Sequence, residues 1–426
     1  MDFERKYYLD KLIERKDNKQ IKLITGIRRC GKSHLLNEIF YRYLLGCGIK
    51  SDHIIKVAFD DYENEELLNI KNALAFLKSK IVDNDMYYFL LDEVQLMIDP
   101  NDKEDKTAFF KVLNSLMHVS NADIYASGSN SKLLSSDIES IFRGRCDSVR
   151  VHPLTFKEFF NACNLSKEEA LDKYMIYGGL PHVYSFDSNA SKAEYLKSTF
   201  DEIYKLDIAE RYKIRNNIEF DELVNFISSQ IGSIVSYQSL SNTYRSIKKK
   251  VITDKTIKKY LDFMINAYII NMSKRYNLKG KKYIDGKCKY YFEDLGLRNA
   301  RLNFAQIEES HLMENLIYNE LLSRGYNVDT GDVAIREKKG NDDTFIRKNL
   351  EVDFVANKNG KKYYIQSALD ITNEEKFKQE TKSLLNINDA YEKIIVVKNI
   401  YIPRTTSEGI KIISIYDFLL NDDIFS

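Results

Sequence analysis

The chain is 426 residues long, 44% apolar and 30% charged, with a net charge of +1. It therefore holds enough apolar content for two to four packed domains and is neither an acidic tail nor a uniformly basic nucleic-acid coat. Cys30, Cys47, Cys146, Cys163 and Cys288 are odd in number and scattered, with no Cys-x-x-Cys pair, which excludes a disulfide framework or structural zinc site, and no apolar stretch approaches the roughly 18 residues of a membrane helix.

No signal-peptide pattern opens the chain, so a cytoplasmic protein with no membrane partner is expected. The first informative element is a β-branched run, Ile21-Lys22-Leu23-Ile24-Thr25, which predicts a strand. Leu35, Leu36, Ile39, Phe40, Tyr43 and Leu44 recur at helical spacing and predict a helix. Between them lies Gly26-Ile27-Arg28-Arg29-Cys30-Gly31-Lys32-Ser33, a phosphate-binding loop in which the glycines let successive N–H groups point inward. Lys32 supplies a point charge for the β- and γ-phosphates and Ser33 a hydroxyl ligand for Mg²⁺. The expected cofactors are ATP and Mg²⁺, with nucleotide contacts from Gly26 to Ser33 and on to His34. Cys30 reads as a small filler.

Tyr87-Tyr88-Phe89-Leu90-Leu91 predicts a strand buried on both faces that ends in Asp92-Glu93. Asp92 is placed to hold Mg²⁺ together with Ser33, and Glu93 to orient or deprotonate the attacking water. Asp123-Ile124-Tyr125-Ala126-Ser127 is a third strand, running into Gly128-Ser129-Asn130. Asn130 is expected to sense the γ-phosphate. In Phe142-Arg143-Gly144-Arg145, Arg143 or Arg145 is the candidate to reach a neighbouring subunit's γ-phosphate; the alternative is that both serve only the fold or the surface.

Residues near 159–220 have helical periodicity and read as a lid, with Gly178-Gly179-Leu180-Pro181 as a fixed turn or a hinge. Charge is then sorted sharply. Residues 241–290 hold twelve lysines and two arginines against Asp254, Asp262 and Asp285, a net +11, which favours a polyanionic partner. Within this segment two helices, one beginning near Ser236 and one capped by Asp254, precede a basic hairpin, Arg275 to Leu278 and Lys282 to Ile284 across Lys279-Gly280-Lys281. That order is a winged helix, whose second helix would read a DNA major groove. Winged helices also dock proteins.

The C-terminal part places Glu314 on a helix-like run, Asp353 on the strand Val352-Asp353-Phe354-Val355, and Gln366-Ser367-Ala368 after Tyr363-Tyr364-Ile365. This order is similar to the PD-(D/E)XK nuclease core, with Asp353 retained, Gln366 in place of the second acid and Ala368 in place of the lysine. Neither replacement can do charged work on a phosphodiester, so an inactive binding or assembly domain is expected.

Several of these pieces together carry a family likeness. The loop with its double arginine, Asp92-Glu93-Val94-Gln95, Ser127-Gly128-Ser129-Asn130, Gly144-Arg145 and Pro153-Leu154-Thr155-Phe156-Lys157-Glu158-Phe159 are joined by Tyr177-Gly178-Gly179-Leu180-Pro181, Asp207-Ile208 with Arg211, Tyr291 to Ala300, and Glu351 to Val355. The chain resembles the prokaryotic AAA+ ATPases with a C-terminal domain of unknown function (DUF 4143). The resemblance implies an α/β P-loop NTPase (ASCE/AAA+) core with a parallel sheet, a helical lid, a winged helix and a restriction-endonuclease-like tail. The expected boundaries are 1–158, 159–220, 221–295 and 296–426. The function expected is Mg²⁺-dependent ATP hydrolysis coupled to DNA binding. The alternatives are a nucleotide-gated protein-interaction switch, an active Mg²⁺-dependent nuclease resting on Asp353, and a ring-forming homo-oligomeric remodeller.

Overall fold

The computed structural model describes residues 3–102, 105, 107–129, 144–214, 217–248, 252–338, 345–398 and 404–425. The chain divides into two compact units: Met1–Leu154 with Leu180–His182 and Asn266–Tyr268, and Thr155–Gly179 with Val183–Ile265 and Ile269–Ser426.

The first unit is built on a five-stranded sheet of β1 (Ile21–Thr25), β2 (Ile54–Ala58), β3 (Tyr87–Asp92), β4 (Ala122–Gly128) and β5 (Cys146–Arg150) in the order β2-β3-β4-β1-β5. Every neighbouring pair is parallel. Parallel sheets need cover on both faces, and β1 and β3 are buried along their whole length, as their apolar runs predict. Helices α1 (Lys6–Glu14), α2 (Lys32–His34, continuing as a π-helical Leu35–Phe40 and then Tyr41–Gly46), α3 (Ile70–Ser79) and α4 (Phe109–Met117) belong to the same unit. Phe89, Leu91, Ile124, Ala126, Leu113 and Leu116 share one buried core. Lys22 of β1 is the unexpected member of this interior, fully buried and ion-paired to Asp123 of β4.

The second unit opens on two capping boxes. Thr155 and Glu158 start α5 (Phe156–Ala162), and Ser166 and Glu169 start α6 (Lys167–Tyr177). In each, two otherwise orphaned backbone N–H groups are satisfied reciprocally. The Thr155-Phe156-Lys157-Glu158-Phe159 motif is thus a helix start whose Phe156 and Phe159 enter the core. α7 (Asn189–Glu202) follows and passes into a π-helical Ile203–Glu210. Gly178 has φ +73°, and a Cβ there would fall on the Asp294 carboxylate. That carboxylate accepts the Gly179 N–H at 2.6 Å and caps α11 (Leu295–Arg301) through the Leu297 N–H at 2.9 Å. Residues 178–179 are therefore a tied turn, and burial pushes Asp294 up to about 6.

Three helices, α8 (Asn217–Ser229), α9 (Tyr237–Lys248) and α10 (Asp254–Asn266), precede the expected hairpin, β6 (Ile270–Asn277) and β7 (Lys282–Phe292). Val235, between α8 and α9, makes an antiparallel bridge to Cys288 of β7. The hairpin is not confined to the helices before it. It forms one end of an eight-stranded sheet with β8 (Asn327–Lys338), β9 (Phe345–Lys358), β10 (Lys361–Ala368), β11 (Glu392–Val397), β12 (Arg404–Thr405) and β13 (Ile410–Ser414), ordered β12-β13-β11-β10-β9-β8-β6-β7. β6 joins β8 in parallel at Arg275↔Thr330 to Asn277↔Asp332, and Arg275 is ion-paired to Asp332. The sheet therefore crosses residue 295, where the sequence suggests a domain boundary. α12 (Glu309–Ser323), α13 (Glu374–Leu385) and α14 (Ile415–Leu420) complete the unit. Among the described residues no helix is long and apolar enough to cross a membrane.

The Lys22–Asp123 pair makes a direct prediction. Asp123→Ala leaves an ammonium buried without its counter-charge and should cost about 3–5 kcal/mol, read as a fall in the urea midpoint of the full chain. Lys22→Met combined with Asp123→Leu should recover most of that loss.

Candidate functional site

In a parallel sheet the C-terminal ends of the strands open onto one edge, and loops leaving that edge can converge. Here β4 lies between β1 and β3, so the segment after β1, the acids ending β3 and the serines ending β4 emerge side by side. The loop after β1 depends on its glycines. Gly26 has φ +149°, and a Cβ there would fall on the Val151 carbonyl oxygen. Gly31, at φ +99°, caps α2, and Arg29 adopts φ +65°. Cys30 is buried with its thiol 3.4 Å from the Val151 carbonyl, the filler role expected of it.

Lys32 is 3% exposed, and its ammonium donates to the Gly26 and Ile27 carbonyls at 3.1 and 3.0 Å. It is thus held across the mouth of the loop it belongs to. Ile27 is buried, Arg28 half-buried, and Arg29, Ser33 and His34 are exposed. The first N–H groups of α2 have no partner within the helix and carry its positive end. Together with Lys32 they make this a seat for phosphate.

Asp92 and Glu93 are both buried at the end of β3. The Ser127 hydroxyl donates to the Asp92 carboxylate and accepts the Glu93 N–H at 3.4 Å. Gln95 donates its side-chain amide to Glu93 Oε2, which also accepts the Ser129 hydroxyl at 3.4 Å. Glu93 adopts φ +52°, a left-handed conformation that costs a non-glycine residue about 1–3 kcal/mol and persists only where the surroundings impose it. Burial raises its pKa above the ordinary glutamate value, with Asp92 adding to the rise and Lys32, Gln95 and Arg28 opposing it. A carboxylate with raised basicity beside a phosphate seat suits a general base. The hydroxyl of Ser33 and the carboxylate of Asp92 are hard oxygen donors of the kind Mg²⁺ takes.

Other expected site residues lie elsewhere. Arg145 is exposed at the start of β5, where its carbonyl accepts the Ile21 N–H at 3.0 Å and its guanidinium donates to Asn114 at 3.2 Å. It sits at the opposite end of β1 from the loop, a strand length of roughly 17 Å, and is not part of this chain's own site. Asn130 and Arg143 lie outside the described residues. Sequence reasoning missed Gln95, Ser127 and Ser129 as partners of the two acids, although all three stand inside motifs that it singled out.

A second polar cluster lies in the other unit. Lys289 of β7, 2% exposed, places its ammonium 2.8 Å from Glu314, 2.5 Å from Glu351 and 3.6 Å from Asp353. Burial would lower its pKa, but Glu314, Asp353 and Glu351 raise it. Asp353 accepts the Ser367 N–H at 2.9 Å, while its own N–H donates to Gln366 at 3.3 Å. Burial and Glu314 push Asp353 up to about 6 against the opposing pull of Lys289, and burial pushes Glu380 up to about 7 with Asp353 contributing. Lys289 is thus an ammonium beside Asp353 that comes from a strand outside the segment 351–368. Lys289 is one of the twelve basic-segment lysines, yet it is buried and does not face solvent. Lys255, Lys258 and Lys259 of α10 and Lys274, Lys279, Lys281, Lys282 and Lys287 of the hairpin do.

Comparison with known proteins assigns a domain type to the first unit. The family model described as an AAA domain matches residues 18–160, and one described as a domain of unknown function, DUF8612, matches residues 168–308. An uncharacterized protein of Haemophilus influenzae is 32% identical over 423 residues, 98% of each chain. Uncharacterized protein MJ1544 of Methanocaldococcus jannaschii is 31% identical over 352 residues, 79% of this chain and 72% of that one. Among solved structures, the Aeropyrum pernix ORC1 protein in complex with DNA is similar at 12% identity and a TM-score of 0.29, covering 71% of this chain and 93% of that one. A likeness at that score carries neither fold nor ligand across. The first unit is a P-loop nucleotide-binding domain of the AAA type.

The loop geometry predicts that Gly26→Ala, which drives a methyl group into the Val151 carbonyl, costs about 1–3 kcal/mol and abolishes binding of a fluorescent ATP analogue. Cys30→Ala should leave that binding intact.

Proposed function

We propose that this chain, which belongs to the same family as the uncharacterized Haemophilus influenzae protein and carries an AAA domain, hydrolyses ATP and couples that cycle to DNA. The observation that carries the ATPase reading is the combination of Lys32, held by the Gly26 and Ile27 carbonyls across the loop mouth, and a buried, strained Glu93 of raised pKa. Mg²⁺, held by Ser33 and Asp92, would neutralise charge on the β- and γ-phosphates. Lys32 would exchange its loop carbonyls for phosphate oxygens. Ser127 fixes the Asp92 carboxylate, and Gln95 and Ser129 fix that of Glu93. Glu93 would then take a proton from the attacking water. Arg145 is assigned to a neighbouring subunit's site in a homo-oligomer, since its place at the start of β5 keeps it from its own.

DNA is the partner that the charge distribution favours. The succession α8, Val235, α9, α10, β6 and β7, with Val235 bridged to β7, supports the winged-helix reading, and the exposed lysines of α10 and the hairpin would neutralise phosphates. The alternative in which this surface holds a protein partner predicts no salt-sensitive DNA binding.

A steady-state assay tests the reading. Lys32→Ala should abolish hydrolysis, and Glu93→Gln should lower kcat by about 10²–10⁴ while nucleotide binding persists. Duplex DNA should stimulate the wild type at low salt and lose its effect as salt rises. Because the ionised form of Glu93 is the base, kcat should fall as pH drops through a pKa raised above the ordinary glutamate value, and Glu93→Gln should remove that limb. Equal hydrolysis by wild type and Glu93→Gln would sink the assignment.

One observation favours a second reading for the C-terminal part. Lys289 stands beside Glu314 and Asp353, which supplies an ammonium where Ala368 could not. Under this reading a Mg²⁺-dependent nuclease cuts DNA, and both Asp353→Asn and Lys289→Ala abolish cleavage. Absence of cleavage by the wild type would leave the cluster a structural one.

A further inference from the structure

Two arginines face each other across a strand pair. Arg336 of β8 and Arg347 of β9 are register partners, and both are exposed. Like charges placed directly opposite in an antiparallel pair are destabilising, and among the described residues no carboxylate is paired with either. A third cation stands beside them. Lys279, at the tip of the β6–β7 hairpin, joins them in lining a cavity of about 440 Å³ with Ala334 and Ile335. The hairpin tip is held there: the Leu278 N–H donates to the Asp332 carbonyl at 3.0 Å, and the Gly280 N–H to the Asn277 side chain at 2.6 Å. Three cations from three strands or turns therefore converge on one open cavity.

We propose that this cavity is a phosphate seat for a nucleic-acid strand. The cavity is continuous in sequence with the exposed hairpin Lys281 and Lys282, which extends the positive surface beyond a single phosphate and fits a repeating polyanion. Guanidinium groups suit phosphate because their planar fork donates to two oxygens at once. The inference deepens the DNA partner proposed above by adding a second contact surface, on the eight-stranded sheet, to that of α10. Arg347, Asn349, Glu351 and Asp353 alternate onto one face of β9, so a strand seated on the arginine pair would run along the same face as the Lys289 cluster, roughly 20 Å away at about 3.4 Å per residue.

The test uses the full chain and a fluorescein-labelled 30-base-pair duplex, with anisotropy read across a salt series. It compares wild type, Arg336→Gln with Arg347→Gln, and Lys255→Gln with Lys258→Gln. The arginine variant should bind about tenfold or more weakly at low salt, and its salt slope should fall by about two, the value for two lost phosphate contacts. Its thermal midpoint should be unchanged or raised, because removing a like-charge pair cannot weaken the sheet. Wild-type affinity and slope in the arginine variant, with binding lost only in the lysine variant, would overturn the cavity as a seat and leave the winged-helix reading standing. No binding by the wild type would overturn both. Weakened binding accompanied by a lowered midpoint would make the arginines structural and equally overturn the proposal.

Discussion

Everything proposed for the first unit hangs on the hydrogen-bond register of three parallel strands. β4 pairs with β1 up to Thr25↔Gly128 and with β3 up to Leu91↔Ala126, so the three chain segments reach the edge of the sheet within about one residue of each other. That alignment lets the Ser127 hydroxyl meet Asp92 and sets Glu93 within reach of Ser129. A slip of one residue would turn every side chain of β4 to the other face and leave both acids without their donors. At the far end of the same strands the buried Lys22–Asp123 pair ties β1 to β4. An ion pair in such a place does little for net stability, but it penalises any register that parts the two charges.

The phosphate loop was legible because its chemistry is local. Eight consecutive residues, flanked by a β-branched run and a helical period, state both the conformation and the ligand, and the positive φ of Gly26 and Gly31 is what glycine at those positions implies. Asp92 and Glu93 were legible for the same reason, as charges ending an apolar strand. Their partners were not. Ser127 lies 35 residues from Asp92, and nothing in either segment states that β4 rather than another strand stands next to β3. Lys289 was hidden more deeply. In sequence it is one of twelve lysines in a basic stretch, and only the pairing of β6 with β8 turns β7 so that this one faces Glu314, Glu351 and Asp353.

The second unit shows where segment-by-segment reading meets its limit. The two helices and the hairpin between 237 and 292 follow the predicted order, and the turn at Gly178-Gly179 is tied to Asp294 as a fixed turn would be. A hairpin, however, has two edges, and its periodicity says nothing about what lies beyond the second. Here β8 takes that edge and merges two expected domains into one sheet.

That merger has a mechanical consequence. β6 is bonded to β7 on one side and β8 on the other, and it is clamped further by Arg275 on Asp332 and by the buried Ser273–Thr330 contact. A hairpin so held cannot swing as an independent flap, because tilting it would break ladder bonds on both flanks at once. A load taken up at its tip passes into eight strands as a stiff plate, and any motion there is a motion of the whole plate. A chain cut after residue 295 would instead leave β6 with a bare row of amides, the kind of edge on which foreign strands add and aggregation begins.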